Sequence, residues 1–193
     1  MSKRVFIIAS GVSERRSIPH LVAHLKGEGV SVDDVLYPPR NGALNVATAE
    51  KLVKAAWFAS ETKPDKFVIL VDTDGKAADE VLRPYREDLP GRVSGEIPAA
   101  LQFACAHWHL EAWFFADIAN LRPYLGREPG SVDTSKPDEI QNPKHHLKQL
   151  LGGRIYTAVV SEEIARRLNA AVIAGRSPSF QSLLDAVRNG ETG

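Results

Sequence analysis

The sequence predicts an α/β protein with a mainly parallel four-stranded sheet flanked by helices and a helical C-terminal extension. In the first part of the chain, short continuous apolar runs alternate with amphipathic segments. This is the β-then-α order of parallel strands joined by right-handed crossovers. From about residue 123 the pattern changes to a polar, proline-bearing loop and then to helical periodicity alone. An α/β core is therefore expected over residues 1–122, with residues 123–193 packed on it in a single compact domain.

Val5, Phe6, Ile7, Ile8 and Ala9 form an unbroken apolar run, as expected of a strand covered on both faces. Residues 10–13 are a turn, with Ser13 placed to cap a helix over 14–27. Ile18, Leu21, Val22 and Leu25 give that helix its apolar side, and Gly27 and Gly29 end it. Residues 30–36 read as a second strand, closed by Pro38 and Pro39. A second amphipathic helix is expected over 45–60, with Val46, Leu52, Val53, Ala56 and Trp57 inward. Residues 66–71 are the clearest strand, and they run into Asp72-Thr73-Asp74-Gly75 and a helix over 77–85. Residues 90–98 read as polar loop or irregular strand, 101–108 as the fourth strand, and a helix starts at His109. A loop with three prolines spans 126–143, followed by helices over 144–151, 161–174 and 179–187.

Composition excludes more than it assigns. Apolar residues at 44% and charged residues at 25% are ordinary for a globular chain. Lys+Arg and Asp+Glu balance at 24 each, so a basic surface for nucleic acid has to come from local clustering. The single cysteine, Cys105, excludes an intrachain disulfide and a multi-cysteine zinc site, and reads as an inert buried thiol in a reducing compartment. The apolar run after Lys3-Arg4 is too short for a signal peptide, and no segment approaches the ~20 apolar residues of a spanning helix. A soluble, cytoplasmic protein without membrane contact is expected.

In an open parallel sheet, ligands bind beyond the carboxyl ends of the strands. Glu14 follows the first strand, Asp72 and Asp74 the third, and His107, His109 and Glu111 the fourth. If strand geometry holds through Thr73, Asp72 and Asp74 point the same way. Carboxylates gathered in this way repel, and oxygen-only donors select a hard cation such as Mg2+ or Mn2+. Each residue also has a plainer reading. Asp-x-Asp-Gly is a common turn string, and Glu14 and Glu111 suit the first turn of a helix.

Ser10-Gly11-Val12-Ser13-Glu14-Arg15, Val71-Asp72-Thr73-Asp74-Gly75 and Leu110-Glu111-Ala112-Trp113-Phe114-Phe115-Ala116-Asp117 together resemble the TOPRIM domain. That domain is shared by topoisomerases, primases and the overcoming-lysogenisation-defect nucleases. More closely, the chain resembles a bacterial TOPRIM-like family of unknown function (domain of unknown function family 4276), often encoded beside an ABC- or AAA-type ATPase. Asn142-Pro143-Lys144 with Leu147, and Ser177-Pro178-Ser179-Phe180, extend the resemblance into the C-terminal third. It implies a TOPRIM/Rossmann-like core, metal ligation by Glu14, Asp72, Asp74 and Glu111, and a Lys144 that neutralises charge on a scissile phosphate. Lys144 equally suits a solvent-exposed helix start. The chain departs from the TOPRIM pattern at Ser10, where a glutamate is usual; a hydroxyl cannot replace that charge.

Other residues read more simply. His20 and His24 share a helix face without a third ligand, and His107 or His109 could serve as a base or pack as core. His145 and His146 follow Lys144 and could add positive charge toward a phosphate. Trp108, Trp113, Phe114 and Phe115 suit packing better than base stacking. Arg15, Arg16, Arg83, Arg86, Arg166, Arg167 and Arg176 are candidate phosphate contacts or solvated faces.

The expected function is a Mg2+- or Mn2+-dependent nuclease, or nuclease subunit, acting on DNA or RNA in bacterial defence or repair. An ATPase partner and an oligomeric assembly are part of that expectation. One alternative is a non-catalytic TOPRIM-like interaction subunit, which Ser10 favours. A weaker one is a haloacid-dehalogenase-type phosphatase with Asp72 as nucleophile, in which Lys76 stands where threonine is usual.

Overall fold

The structure, a computed structural model, describes residues 2–130 and 132–188. The expected 126–143 loop and 123–193 extension include Ser131 and residues 189–193, which lie outside that description. Its first part runs β1 (Lys3–Ile8), α1 (Val12–Leu21), β2 (Val30–Leu36), α2 (Val46–Ala59), β3 (Lys66–Asp72), α3 (Ala78–Val93) and β4 (Ala100–Ala106). Among the described residues the α-helices that follow are α4 (Glu111–Ala116), α5 (Ile118–Leu121), α6 (Pro143–Leu150), α7 (Ala158–Ala165), α8 (Ala170–Arg176) and α9 (Pro178–Arg188). The four strands form one sheet in the order β2-β1-β3-β4, and every pairing is parallel. The α/β class and the four-stranded sheet are as the apolar runs predict.

Alternation along the strands divides the core in two. Val5, Ile7, Ala9, Val68, Leu70, Ala104 and Ala106 belong to a cluster completed by α1 and the C-terminal helices. Phe6, Ile8, Phe67, Ile69, Val71 and Cys105 belong to a second cluster with α2 and α3. β3, and β1 from Val5 onward, are thus buried on both faces, which is why they read as apolar runs, whereas the edge strand β2 keeps Asp33 exposed. The first cluster takes residues from Val5 to Val187, so the C-terminal helices complete the core of the sheet. Trp113 illustrates the join: its ring meets Phe180 edge-on at 5.1 Å, and its Nε1 donates to Ser179 Oγ at 2.8 Å.

Several helix limits differ from the sequence reading, each for a local reason. Helix α1 starts at Val12 with Gly11 as its cap, and Ser13 does not cap it. It ends at Leu21, where a 3-10 segment (Ala23–Glu28) takes over up to Gly29. Helix α3 runs to Val93, through Pro84 and Pro90 and across the stretch read as loop. An interior proline costs about 3 kcal/mol. Leu82, Tyr85, Leu89 and Val93 form a buried stripe on this helix, and each such side chain returns about 1.5–3 kcal/mol. Burial therefore wins over the two prolines. The helix expected over 161–174 is two helices, because Asn169 caps α8 by accepting from the N–H groups of Ala171 and Val172. Asp117 Oδ2 holds the Asn169 N–H at 2.8 Å, which secures the break. In α2 only Ala49 and Val53 are buried; Val46, Leu52, Ala56 and Trp57 pack around them at the margin.

Candidate acidic site at the strand ends

In a sheet ordered 2-1-3-4, the crossovers leaving β1 and β3 diverge, and a crevice opens between their carboxyl ends. Glu14 lies in the first turn of α1, just after β1. Asp72 is the last residue of β3, level with Ala106 of β4. Glu111 begins α4, beyond the end of β4. The topology thus delivers three carboxylates from three strand ends to one crevice.

Burial and mutual repulsion govern their chemistry. Glu14 is 5% exposed and Glu111 fully buried. Burial raises the Glu14 pKa, and the nearby Glu111 charge adds to that; the N–H groups of Glu14 itself and Gly11 oppose it. The bond to Gly11 is the reach-back of a third-position glutamate to its helix cap, so Glu14 also has a structural task. The Asp72 pKa is raised well above the usual carboxylate range, first by burial and then by Glu14, Glu111 and Asp74. Lys144 offsets part of this.

Glu111 is held on one side only. Its Oε1 accepts from the Tyr156 hydroxyl at 2.8 Å and lies 3.9 Å from Lys144 Nζ. Its Oε2 is buried without a hydrogen-bond partner. Tyr156 has a raised pKa from burial and from the Glu111 charge, so its phenol remains a donor.

Asp74 behaves differently from Asp72. Strand geometry stops at Asp72, and Asp74 takes a left-handed φ of 49°. Thr73 is buried, and its Oγ1 accepts from the Trp108 N–H at 2.8 Å. The Asp74 side chain is exposed and pairs with His109 Nε2 at 3.0 Å, while His109 Nδ1 is buried without a partner. Asp74 therefore marks the solvent edge of the crevice. Among the described residues, no group of three or more His, Cys, Asp or Glu side chains is arranged to hold a metal ion as it stands.

The other candidates are placed as follows. Trp113, Phe114 and Phe115 are fully buried in the core. Arg16 and Arg166 share Glu162 with His20, and Arg15 lies over the Tyr37 ring at 5.8 Å. Arg86 pairs with Asp79, and Arg176 donates to the Ala116 carbonyl. His145 meets Gln149. Sequence reasoning missed Tyr156. It sits 45 residues from Glu111 in the chain, in a segment with no motif to flag it.

Open parallel α/β folds carry their ligand sites, where they have them, outside the strand ends at the switch point. Residues 9–188 match the family described as Domain of unknown function (DUF4276), and the chain belongs to that family. No curated protein matches the sequence. Among solved structures the chain is similar to the C-terminal region of the OLD protein of Xanthomonas campestris pv. campestris. The identity is 14%, the TM-score 0.46, and the match covers 96% of this chain and 94% of the other. No helix among the described residues is long and apolar enough to cross a membrane.

Proposed function

We propose that this chain is a divalent-metal-dependent nuclease, or the nuclease subunit of a larger assembly, with a TOPRIM-type acidic site that hydrolyses nucleic-acid phosphodiesters. The supporting observation is Glu111: a fully buried carboxylate with one oxygen held and the other unpartnered, in the field of Glu14 and Asp72. A buried polar atom left without a partner costs about 1–3 kcal/mol, more if charged. A cation offsets that cost and the repulsion together.

The donors fit a hard cation, since all are carboxylate oxygens and one is orphaned. Glu14, Asp72, Asp74 and Glu111 would hold Mg2+ or Mn2+, their side chains drawing in from the positions they occupy here. When bound, such an ion polarises a phosphoryl oxygen and lowers the pKa of water. Lys144, 40% exposed beside Glu111, stands where it can offset charge on a phosphate. The Asp74–His109 pair, at the solvent edge of the crevice, would face an entering strand of nucleic acid. An ATPase partner that delivers or gates substrate belongs to the same proposal, on the strength of the motif resemblance alone.

The test is calorimetric titration of Mg2+ and Mn2+ into the wild type and Asp72→Asn, with DNA and RNA cleavage assayed in the same buffers. Metal binding and cleavage by the wild type, both reduced by at least about tenfold in the variant, are expected. Binding without cleavage points to a missing partner. No binding by the wild type sinks the reading in favour of a non-catalytic interaction module, which Ser10 and the absence of a ready ligand group among the described residues favour.

A further inference from the structure

Tyr156 lies in the segment before α7, far in sequence from the acidic strand ends, yet its hydroxyl touches the site. It donates to Glu111 Oε1 at 2.8 Å, the same oxygen that faces Lys144. Every polar contact of the Glu111 carboxylate among the described residues falls on Oε1, and Oε2 is left free in a buried position. A carboxylate gripped by one oxygen presents the other in a fixed direction.

The grip extends further. The Ser161 hydroxyl also acts on Tyr156, lowering its pKa against the burial that raises it, and Ser161 Oγ meets Ser17 Oγ at 2.7 Å with both serines fully buried. Ser17 lies one turn beyond Glu14 on α1. A row of hydroxyls, Tyr156, Ser161 and Ser17, therefore leads from Glu111, by way of α7, to the helix that carries Glu14. All its links are neutral. An arginine or lysine in place of Tyr156 would neutralise Glu111 outright, whereas a phenol orients the carboxylate and leaves its charge available.

We infer that Tyr156, backed by Ser161 and Ser17, is a positioning residue that fixes Glu111 with Oε2 presented to a bound divalent cation; this rests on the metal reading proposed above. A tyrosine with a merely structural role would lend stability to the core without affecting cation affinity.

Calorimetric titration of Mn2+ into the full chain separates the two, using wild type, Tyr156→Phe and Tyr124→Phe. Tyr124 is the control, because its hydroxyl donates to a backbone carbonyl, that of Glu163, at 2.9 Å. Tyr156→Phe is expected to weaken Mn2+ binding by roughly 10–100-fold, with Tyr124→Phe unchanged and both variants folded by circular dichroism. Equal affinity in wild type and Tyr156→Phe overturns the positioning role and leaves the metal site standing. No Mn2+ binding by the wild type overturns the metal reading and this inference with it. If Tyr156→Phe does not fold, Ser161→Ala carries the test: a weaker Mn2+ affinity supports the role, and an unchanged one overturns it.

Discussion

Gly75 shows how one residue holds the mouth of the crevice. Its φ is 84°, and a Cβ there would meet Trp108 Cη2 and Cζ2 at 2.6 Å. Trp108 itself has a φ of 58°, in the region bulky residues avoid. Two bonds restrain it: its N–H to Thr73 Oγ1, and its carbonyl from the Asp74 N–H at 3.2 Å. Gly75→Ala combines a disfavoured backbone conformation with a collision against an aromatic ring. It is expected to cost about 1–3 kcal/mol, measured by urea unfolding, with a change in tryptophan emission as Trp108 is displaced. Wild-type stability in that variant would show the ring to be loosely held. The plain turn reading of Asp-Thr-Asp-Gly and the site reading thus divide between neighbours. Asp74 and Gly75 make the turn, while Asp72 enters the crevice. Nothing in the four letters distinguishes them, because the break in strand geometry is imposed by Thr73 bonding to a residue 35 positions away.

At the scale of elements, periodicity located the helices better than it located their ends. The start of α9 is capped by Ser177, whose Oγ accepts from the Phe180 N–H at 3.2 Å, and by Asp138, which accepts from Ser177 Oγ at 2.7 Å and from the Ser179 N–H and Oγ at 2.8 Å each. A loop aspartate about forty residues upstream thus caps the helix that packs on β4. Ser177 before Pro178 is a local signature of that start, whereas the aspartate that holds it leaves none. Asp138→Ala removes it and strands the buried hydroxyls of Ser177 and Ser179. A loss of about 1–3 kcal/mol is expected, with faster hydrogen exchange along α9 than along β1 or β3. Uniform exchange changes across the molecule would show instead that α9 does not open on its own. Helix α3 teaches the converse, since prolines that look like breakers are carried by a stripe of buried side chains.

Across the whole molecule, Lys66 fastens the C-terminal helix to the opposite end of the sheet from the acidic crevice. It is fully buried at the start of β3, and its Nζ donates to the carbonyls of Ala186 at 2.7 Å and Val187 at 3.1 Å. Burial, with the Lys3 charge adding to it, pushes the Lys66 pKa down to about 8. Between about pH 8 and the ordinary lysine value of 10.5 the unfolded chain holds a proton that the folded chain has released. Stability attributable to Lys66 therefore rises with pH across that window and is lowest below it. Both donated bonds survive deprotonation, since a neutral amine keeps two N–H groups. Denaturation of wild type and Lys66→Met from pH 7 to 10.5 is expected to show a rising difference in favour of the wild type. A flat or falling difference would mean that the ammonium is accommodated without penalty.

The sequence by itself determined the α/β class, the four strands and the burial of the first on both faces, because apolar runs record local periodicity and solvent exclusion directly. It also marked Glu14, Asp72, Asp74 and Glu111 as candidates, because a strand end is a local feature and the carboxyl edge of a parallel sheet is the one place where several strand ends meet. Only the tertiary structure decided that Asp74 leaves the buried group, that Glu111 keeps one oxygen free, and that Tyr156, Ser161 and Ser17 stand behind it. Those arrangements depend on contacts between residues tens of positions apart. Hydrogen bonding at such separations follows from how the helices pack on the sheet, and it leaves no spacing in the chain to read.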